Sequence, residues 1–238
     1  MDTTEQPVAA IAAEAREFSG LLAHATAVEA VKTQAAYSCR AQIGGRLWLL
    51  VADGPGPKRA EAAARVAFGL GPASALLSTG FCGGLDPELR VGDVFIAERV
   101  AGADGKLWET AWFEDQGVNA RMGTLLSCDR VVITSGEKQS LYRETGARAV
   151  EMEAAAVARM AGEKGVPFYC IRVVSDAACE TLPLDFNLYR APSGRFRRGR
   201  ILGAVLARPW SIRGLMRLNA DSSRASRYLG DFLVSCRF

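Results

Sequence analysis

Acidic side chains stand where the apolar runs of this chain end. Glu151 and Glu153 bracket Met152 after one run, and Ser175 and Asp176 close another, Phe168 to Val174. Glu14 and Glu17 follow a third, Pro7 to Ala13. Carboxyl groups drawn from separate strand ends can divide acid and base work, one held protonated and another ionised. Each also has an ordinary explanation: Glu153 can complement a helix dipole, and Asp176 can cap a turn. Residue counts exclude other chemistries. His24 is the sole histidine, and the six cysteines (39, 82, 128, 170, 179 and 236) contain no Cys-x-x-Cys. No usual zinc site can form from them, and neither a metal nor a cofactor is expected. The turn Asp53 to Arg59 carries Gly54 and Gly56 but lacks P-loop spacing, and Pro55 and Pro57 remove backbone donors.

Regular elements must bring these groups together. Ala147 to Glu151 reads as a strand, Glu153 to Lys164 as a helix with Ala154, Val157, Ala158 and Ala161 on one face, and Phe168 to Val174 as a buried strand interrupted only by Arg172. Gly165 and Pro167 separate the last two. This pattern predicts a parallel βαβ unit, with both carboxyl ends on one sheet edge. Pro7 to Ala13 is a further strand, followed by a helix over Glu14 to Leu22. Tyr37 to Ile43 and Arg46 to Ala52 flank Gly44-Gly45 as a hairpin. A helix is expected over Ala60 to Phe68. Ala73 to Ser78 is a strand running into Thr79-Gly80-Phe81-Cys82-Gly83-Gly84, where glycines can bring bare backbone N–H groups to a ligand. Val91 to Val100 is a strand. Thr124 to Cys128 and Arg130 to Ile133 are short strand candidates, and Gly136 to Thr145 is helical. Ala101 to Arg121, with Trp108, Trp112 and Phe113, has no period and reads as a lid or an oligomer contact.

With 238 residues, 49% of them hydrophobic, the chain can bury the core of one α/β domain. The net charge of +3 is uneven. From Asn187 onward there are 11 Arg against two Asp, or +9, which leaves −6 on the preceding 186 residues. The tail reads as a basic amphipathic helix over Phe196 to Ala207, a break at Pro209, and helices over Ser211 to Leu218 and Asp221 to Val234. Residues 187–238 are expected as a helical C-terminal appendage, too small for its own core. Its basic face would suit a partner's acidic surface or peripheral contact with an anionic membrane, and equally a solvated face. The polar N-terminus is no secretory signal, and scattered apolar-flanked cysteines fit a reducing, cytoplasmic compartment.

Three motifs, STGFCGGLDPELRVGDVFIA, VEMEAAAVARMA and VPFYCIRVVSDAA, resemble the nucleoside phosphorylase superfamily over roughly Val8 to Ala178. They are most similar to the methylthioadenosine/S-adenosylhomocysteine nucleosidases and the hopanoid-associated nucleosidase/phosphorylase group. The resemblance implies an α/β fold, a mixed central β-sheet flanked by helices on both faces. It implies that Glu153 binds ribose hydroxyls, that Met152 packs on the sugar, and that Asp176, after Ser175, is the acid toward N7 of the base. It places the base along Asp129 to Val132, with Val131 and Val132 as contacts and Val131 where an aromatic usually stacks. It implies a glutamate that activates water near the end of the first strand, with Glu17 preferred over Glu14. Glu151 is a secondary sugar-side candidate, and Gly80, Phe81, Cys82 and Gly83 form the facing wall.

Breaking a ribosyl–purine bond builds positive charge on the sugar and negative charge on the base. An apolar setting for Asp176 would favour its neutral acid form, ready to donate, while Glu153 would hold an oxocarbenium-like sugar. A base on the far side of the sugar must come from another strand end, as Glu17 or Glu14 does. The family's phosphorylases hold phosphate with arginine and a small hydroxyl; the matching segment, Ser78 to Cys82, has no arginine and carries Phe81. Hydrolysis of a purine nucleoside by a homodimer that binds no nucleic acid is therefore expected. Phosphorolysis, a lipid-linked nucleoside, or binding without turnover are the alternatives.

Overall fold

The computed structural model describes residues 6–113, 120–191, 196–197, 199–200 and 211–238, without the side chains of 211–215 and 217–219. The strands are β1 (Val8–Ala12), β2 (Ala25–Ala30), β3 (Tyr37–Ile43), β4 (Arg46–Ala52), β5 (Ala75–Gly84), β6 (Val94–Gly102), β7 (Leu107–Glu109), β8 (Arg121–Ser127), β9 (Ala149–Glu151) and β10 (Phe168–Asp176). The helices are α1 (Ser19–Leu22), α2 (Pro57–Gly69), α3 (Ser135–Thr145), α4 (Ala154–Lys164) and α5 (Ser211–Ser235), with 3₁₀ turns at Ala15–Phe18 and Phe186–Tyr189.

All ten strands form one mixed sheet. β1 lies between β4 and β5 and is parallel to both. Beyond β5 the sheet closes on itself: β5 pairs with β10, β10 with β6, β6 with β8, β8 with β9, and β9 with β5 again. This ring corrects the βαβ expectation. β9 and β10 are not neighbours; β10 is parallel to β5 and β9 is antiparallel to it. Glu151 and Asp176 meet because both strands end against the far part of β5, where Val150 and Asp176 each pair with Gly83. The glycine run is accordingly strand rather than turn, and Gly80, at φ 122°, takes a backbone conformation that side chains resist.

Alternation along the strands feeds two cores. Ala9, Ile11, Leu76, Phe168, Cys170 and Val174 face α2 and α4. Val8, Ala10, Leu77, Tyr169, Ile171 and Val173 face α1 and α5. The hairpin β3–β4 turns on Gly44 and Gly45, at φ 58° and 77°, as two positive values in a tight hairpin require. Other expectations are corrected. The helix after β1 is a 3₁₀ turn followed by one α-turn. Arg130 to Ile133 forms no strand. β2 was not foreseen, since five of its six residues are exposed and no alternation marks it.

The C-terminal extension is helical, yet its second half is core. Ala225, Leu229, Phe232, Leu233 and Cys236 are buried at helical spacing against β10, β5 and α1. No break separates 218 from 221, because Asn219-Ala220-Asp221 contains neither Gly nor Pro. α5 and α1 cross at glycines: a Cβ on Gly20 would lie 1.9 Å from the Ser226 carbonyl oxygen. Burying Leu229, Phe232 and Leu233 contributes about 5–9 kcal/mol at roughly 1.5–3 kcal/mol each, on the order of a whole domain's stability. The helix expected over Phe196 to Ala207 lies largely outside the described residues, as does the 114–119 part of the proposed lid. Among the described residues, no helix is long and apolar enough to cross a membrane.

Candidate active site

Glu17 sits on the 3₁₀ turn that leaves β1 and is buried. Its Oε2 accepts the Glu14 N–H at 2.8 Å, and its Oε1 accepts the Phe81 N–H at 3.2 Å. Burial pushes its carboxyl up, against the pull of those two hydrogen bonds and of the Arg172 charge. Gly80 makes room for it, since a Cβ there would stand 2.8 Å from the Glu17 carboxyl carbon. Glu14 takes the other path: it is half-buried and ion-paired to Arg16 at 2.7 Å.

The turn between β9 and α4 supplies the next two carboxylates. Glu151 folds back on the start of α4, with its Oε2 accepting the N–H groups of Glu153 at 2.7 Å and Ala154 at 2.9 Å. It is thereby an anchor for the helix N-terminus, where a negative charge is favoured. Glu153 points away, and its Oε1 accepts the Gly56 N–H at 2.8 Å. Its carboxyl is pushed up to about 8, first by burial and then by the charge of Glu151.

Arg172 lies beneath these groups and was not singled out as a site residue. Its side chain is fully buried and ion-pairs with Glu151, sits 3.5 Å from Glu153 Oε2, and donates to Ser78 Oγ at 2.7 Å. Its Nε finds no partner among the described residues. A lone arginine inside an apolar strand was the available signal, since such a charge needs a counter-ion.

On the opposite side, Asp176 ends β10. Its Oδ1 accepts the Ser175 hydroxyl at 2.7 Å, and its Oδ2 accepts Lys138 Nζ at 2.5 Å. Lys138 is fully buried on α3. This corrects the expectation of a carboxyl in purely apolar surroundings: Asp176 is one half of a buried ion pair. Nothing in the polar helix SGEKQSLYRET marks Lys138 as its partner. Beside it, Arg130 to Ile133 is held by side chains rather than by a strand. The Asn187 amide accepts the Val131 N–H and donates to the Val131 carbonyl, both at 2.9 Å. Glu137 accepts the Ile133 N–H. The intervening Val132 N–H and C=O make no hydrogen bond with other described residues.

One cavity of about 610 Å³ joins the two sides. Glu14, Glu17, Phe81, Cys82, Gly83, Val131, Val132, Glu151, Met152, Glu153, Ser175 and Asp176 all line it. Gly80 does not; it acts from behind, on Glu17. Leu182, Phe186 and Phe196, from the segment after β10, add an apolar wall that the sequence did not single out. Among the described residues, no cluster could hold a metal ion.

A mixed sheet closed into a ring, with carboxylates converging where its strands end, has counterparts among known proteins. The family model of the phosphorylase superfamily matches residues 7–110 and 106–207, and the chain belongs to that superfamily. Its relatives include the 5'-methylthioadenosine/S-adenosylhomocysteine nucleosidase of Tolumonas auensis, 28% identical over 177 residues, which cover 63% of this chain and 77% of that protein. The Mycobacterium tuberculosis protein of the same name is 28% identical over 48% of this chain and 63% of its own length, so less than two thirds of that relative is spanned. Among solved structures, the Neisseria meningitidis 5'-methylthioadenosine/S-adenosylhomocysteine nucleosidase aligns with a TM-score of 0.73 at 22% identity, covering 97% of each chain. Futalosine hydrolase of Helicobacter pylori aligns at 0.71 and 18%, again over 97% of each. At such identities these structures share the fold.

Proposed function

We propose that the protein hydrolyses the N-glycosidic bond of a purine nucleoside of the adenosine type and releases the base. The observation that carries this reading is the convergence of Glu17, Glu153 and Asp176, from three separate segments, on one cavity. Glu17 takes the proton of the attacking water, and burial keeps it basic enough to do so. Glu153, fixed by Gly56, holds the ribose hydroxyls beside Met152. Asp176 serves the nitrogen of the leaving base, and the unused Val132 N–H and C=O offer a donor and an acceptor to its edge. Glu17 is favoured over Glu14 because Glu14 is turned to Arg16.

Water is favoured over phosphate on electrostatic grounds. The Phe81 N–H, which could meet an anion, already serves the Glu17 carboxylate. Arg172 is committed to Glu151, Glu153 and Ser78. The other arginines lining the cavity among the described residues are paired as well, Arg16 with Glu14 and Arg130 with Glu137, so a phosphate dianion there would compete with carboxylates for its cations. The test is to incubate the protein with adenosine, methylthioadenosine and other purine nucleosides, with and without phosphate. Free ribose or its 5'-substituted form is expected at equal rates in both. Ribose 1-phosphate formed only with phosphate would end the hydrolytic reading, and base release from none of them would end the enzymatic one.

The setting we propose is a cytoplasmic homodimer acting on a small molecule. Buried Cys39, Cys82 and Cys170, which form no disulfide, suit a reducing compartment, and the exposed strand β2 offers an edge for a second copy. Peripheral membrane contact through the basic tail is a further element of this proposal.

A further inference from the structure

Lys138 is a fully buried ammonium, a rare placement for lysine. Two of its three protons are placed, on Asp176 Oδ2 at 2.5 Å and on the Ala177 carbonyl at 2.8 Å. Among the described residues, Asp176 is the only carboxylate within 4.0 Å of it. Asp176 in turn takes only the Ser175 hydroxyl besides, and its carboxyl lines the cavity. In this ion pair the proton is the ammonium's, so Asp176 alone has none to give. Resting on the reading that the site cleaves a purine nucleoside, we infer that Lys138 is a positioning residue that stores the proton Asp176 passes to the leaving base.

The step balances without any further reagent. The bond between the sugar carbon and the base nitrogen breaks, and its electron pair leaves with the base. A second nitrogen of the base takes a proton from the Asp176 carboxyl, and that carboxyl takes one from the Lys138 ammonium, which becomes a neutral amine. Water adds to the sugar carbon and yields its proton to Glu17. Solvent returns that proton to the pair once the base has left, so the sum is nucleoside plus water to sugar plus base. The arrangement solves a problem of the buried site: a carboxyl that must donate at neutral pH is refilled from a cation held against it, rather than kept neutral by burial alone.

The test compares two substrates in the same sample. A purine nucleoside needs its leaving group protonated; a 4-nitrophenyl riboside does not. Lys138→Met and Lys138→Gln should lower kcat on the nucleoside by about 100-fold or more, the usual reach of a general acid. On the nitrophenyl riboside they should change it by only a few fold. The ratio of the two rates is independent of how much of a variant is folded. Equal losses on both substrates in the variants would show Lys138 to be a packing residue and overturn the inference. Failure of the unaltered protein to release base from any nucleoside is a different result, and it would remove the proposed function itself.

Discussion

The two ends of the cavity are built on opposite electrostatic plans. Toward Glu153, three buried carboxyls, Glu17, Glu151 and Glu153, share the single guanidinium of Arg172. Toward the end of β10, where the proposed reaction sets the base, Asp176 has an ammonium of its own in Lys138. The first end is short of positive charge: burial, and then the charge of Glu151, holds Glu153 above its ordinary range, and burial raises Glu17 as well, which suits the developing sugar cation of the proposed reaction. The second is balanced, so charge can move inside it without being created. A single polarity across the cavity could not serve both halves of a bond that separates into a cation and an anion.

The strongest way to break this contrast is Arg172→Met. Removing one partner of a buried ion pair costs about 3–5 kcal/mol, and here three carboxyls lose their cation together. The variant should melt far below the parent, and adding Glu151→Gln should recover part of the loss. An unchanged melting temperature for Arg172→Met would mean that Arg172 does not govern this end. Next comes Glu17→Gln, which removes the proposed proton acceptor while relieving a buried charge. Its kcat should drop about 10²–10⁴-fold with melting temperature equal to or above the parent's; retained turnover would transfer the role to Glu14.

A smaller effect sharpens the comparison through pH. Glu153 is raised from an ordinary 4.5 to about 8, and Glu17 is raised as well. Between those values the folded chain keeps protons that the unfolded chain has released. Stability of the ligand-free protein should therefore fall as pH rises through that window, by up to about 1.4 kcal/mol per pH unit for Glu153, with Glu17 acting in the same direction. Chemical denaturation at a series of pH values measures the slope, and Glu153→Gln should reduce it. Stability that instead climbs across this range would place the excess negative charge elsewhere.

Much of this could be read from residue types. Gly44-Gly45 fixed both edges of the β3–β4 hairpin, and Glu-Met-Glu and Ser-Asp stood at strand ends because apolar runs stopped there. What escaped depends on contacts between distant segments. The ring closure leaves no local trace, so a strand–helix–strand pattern read as a parallel pair when β5 in fact stands between. β2, exposed on both faces, has no period to detect. The counter-ions are the instructive case. Arg172 announced itself by interrupting an apolar strand, whereas Lys138 sits among polar residues and shows its role only where its ammonium meets Asp176 and the Ala177 carbonyl at the end of β10. α5 was mistaken for a peripheral element because its partner surface, the second face of the sheet, is assembled from residues more than 50 positions away.

The crossing of α5 with α1 reaches further than packing. The Ser226 hydroxyl accepts the Gly20 N–H at 3.1 Å and lies 3.2 Å from the carbonyl of Glu17 itself. The turn that aims an N-terminal carboxylate is thus fastened by a helix made among the last residues of the chain. During synthesis, the Glu17 turn would lack this fastening until Ser226 had cleared the exit tunnel and docked.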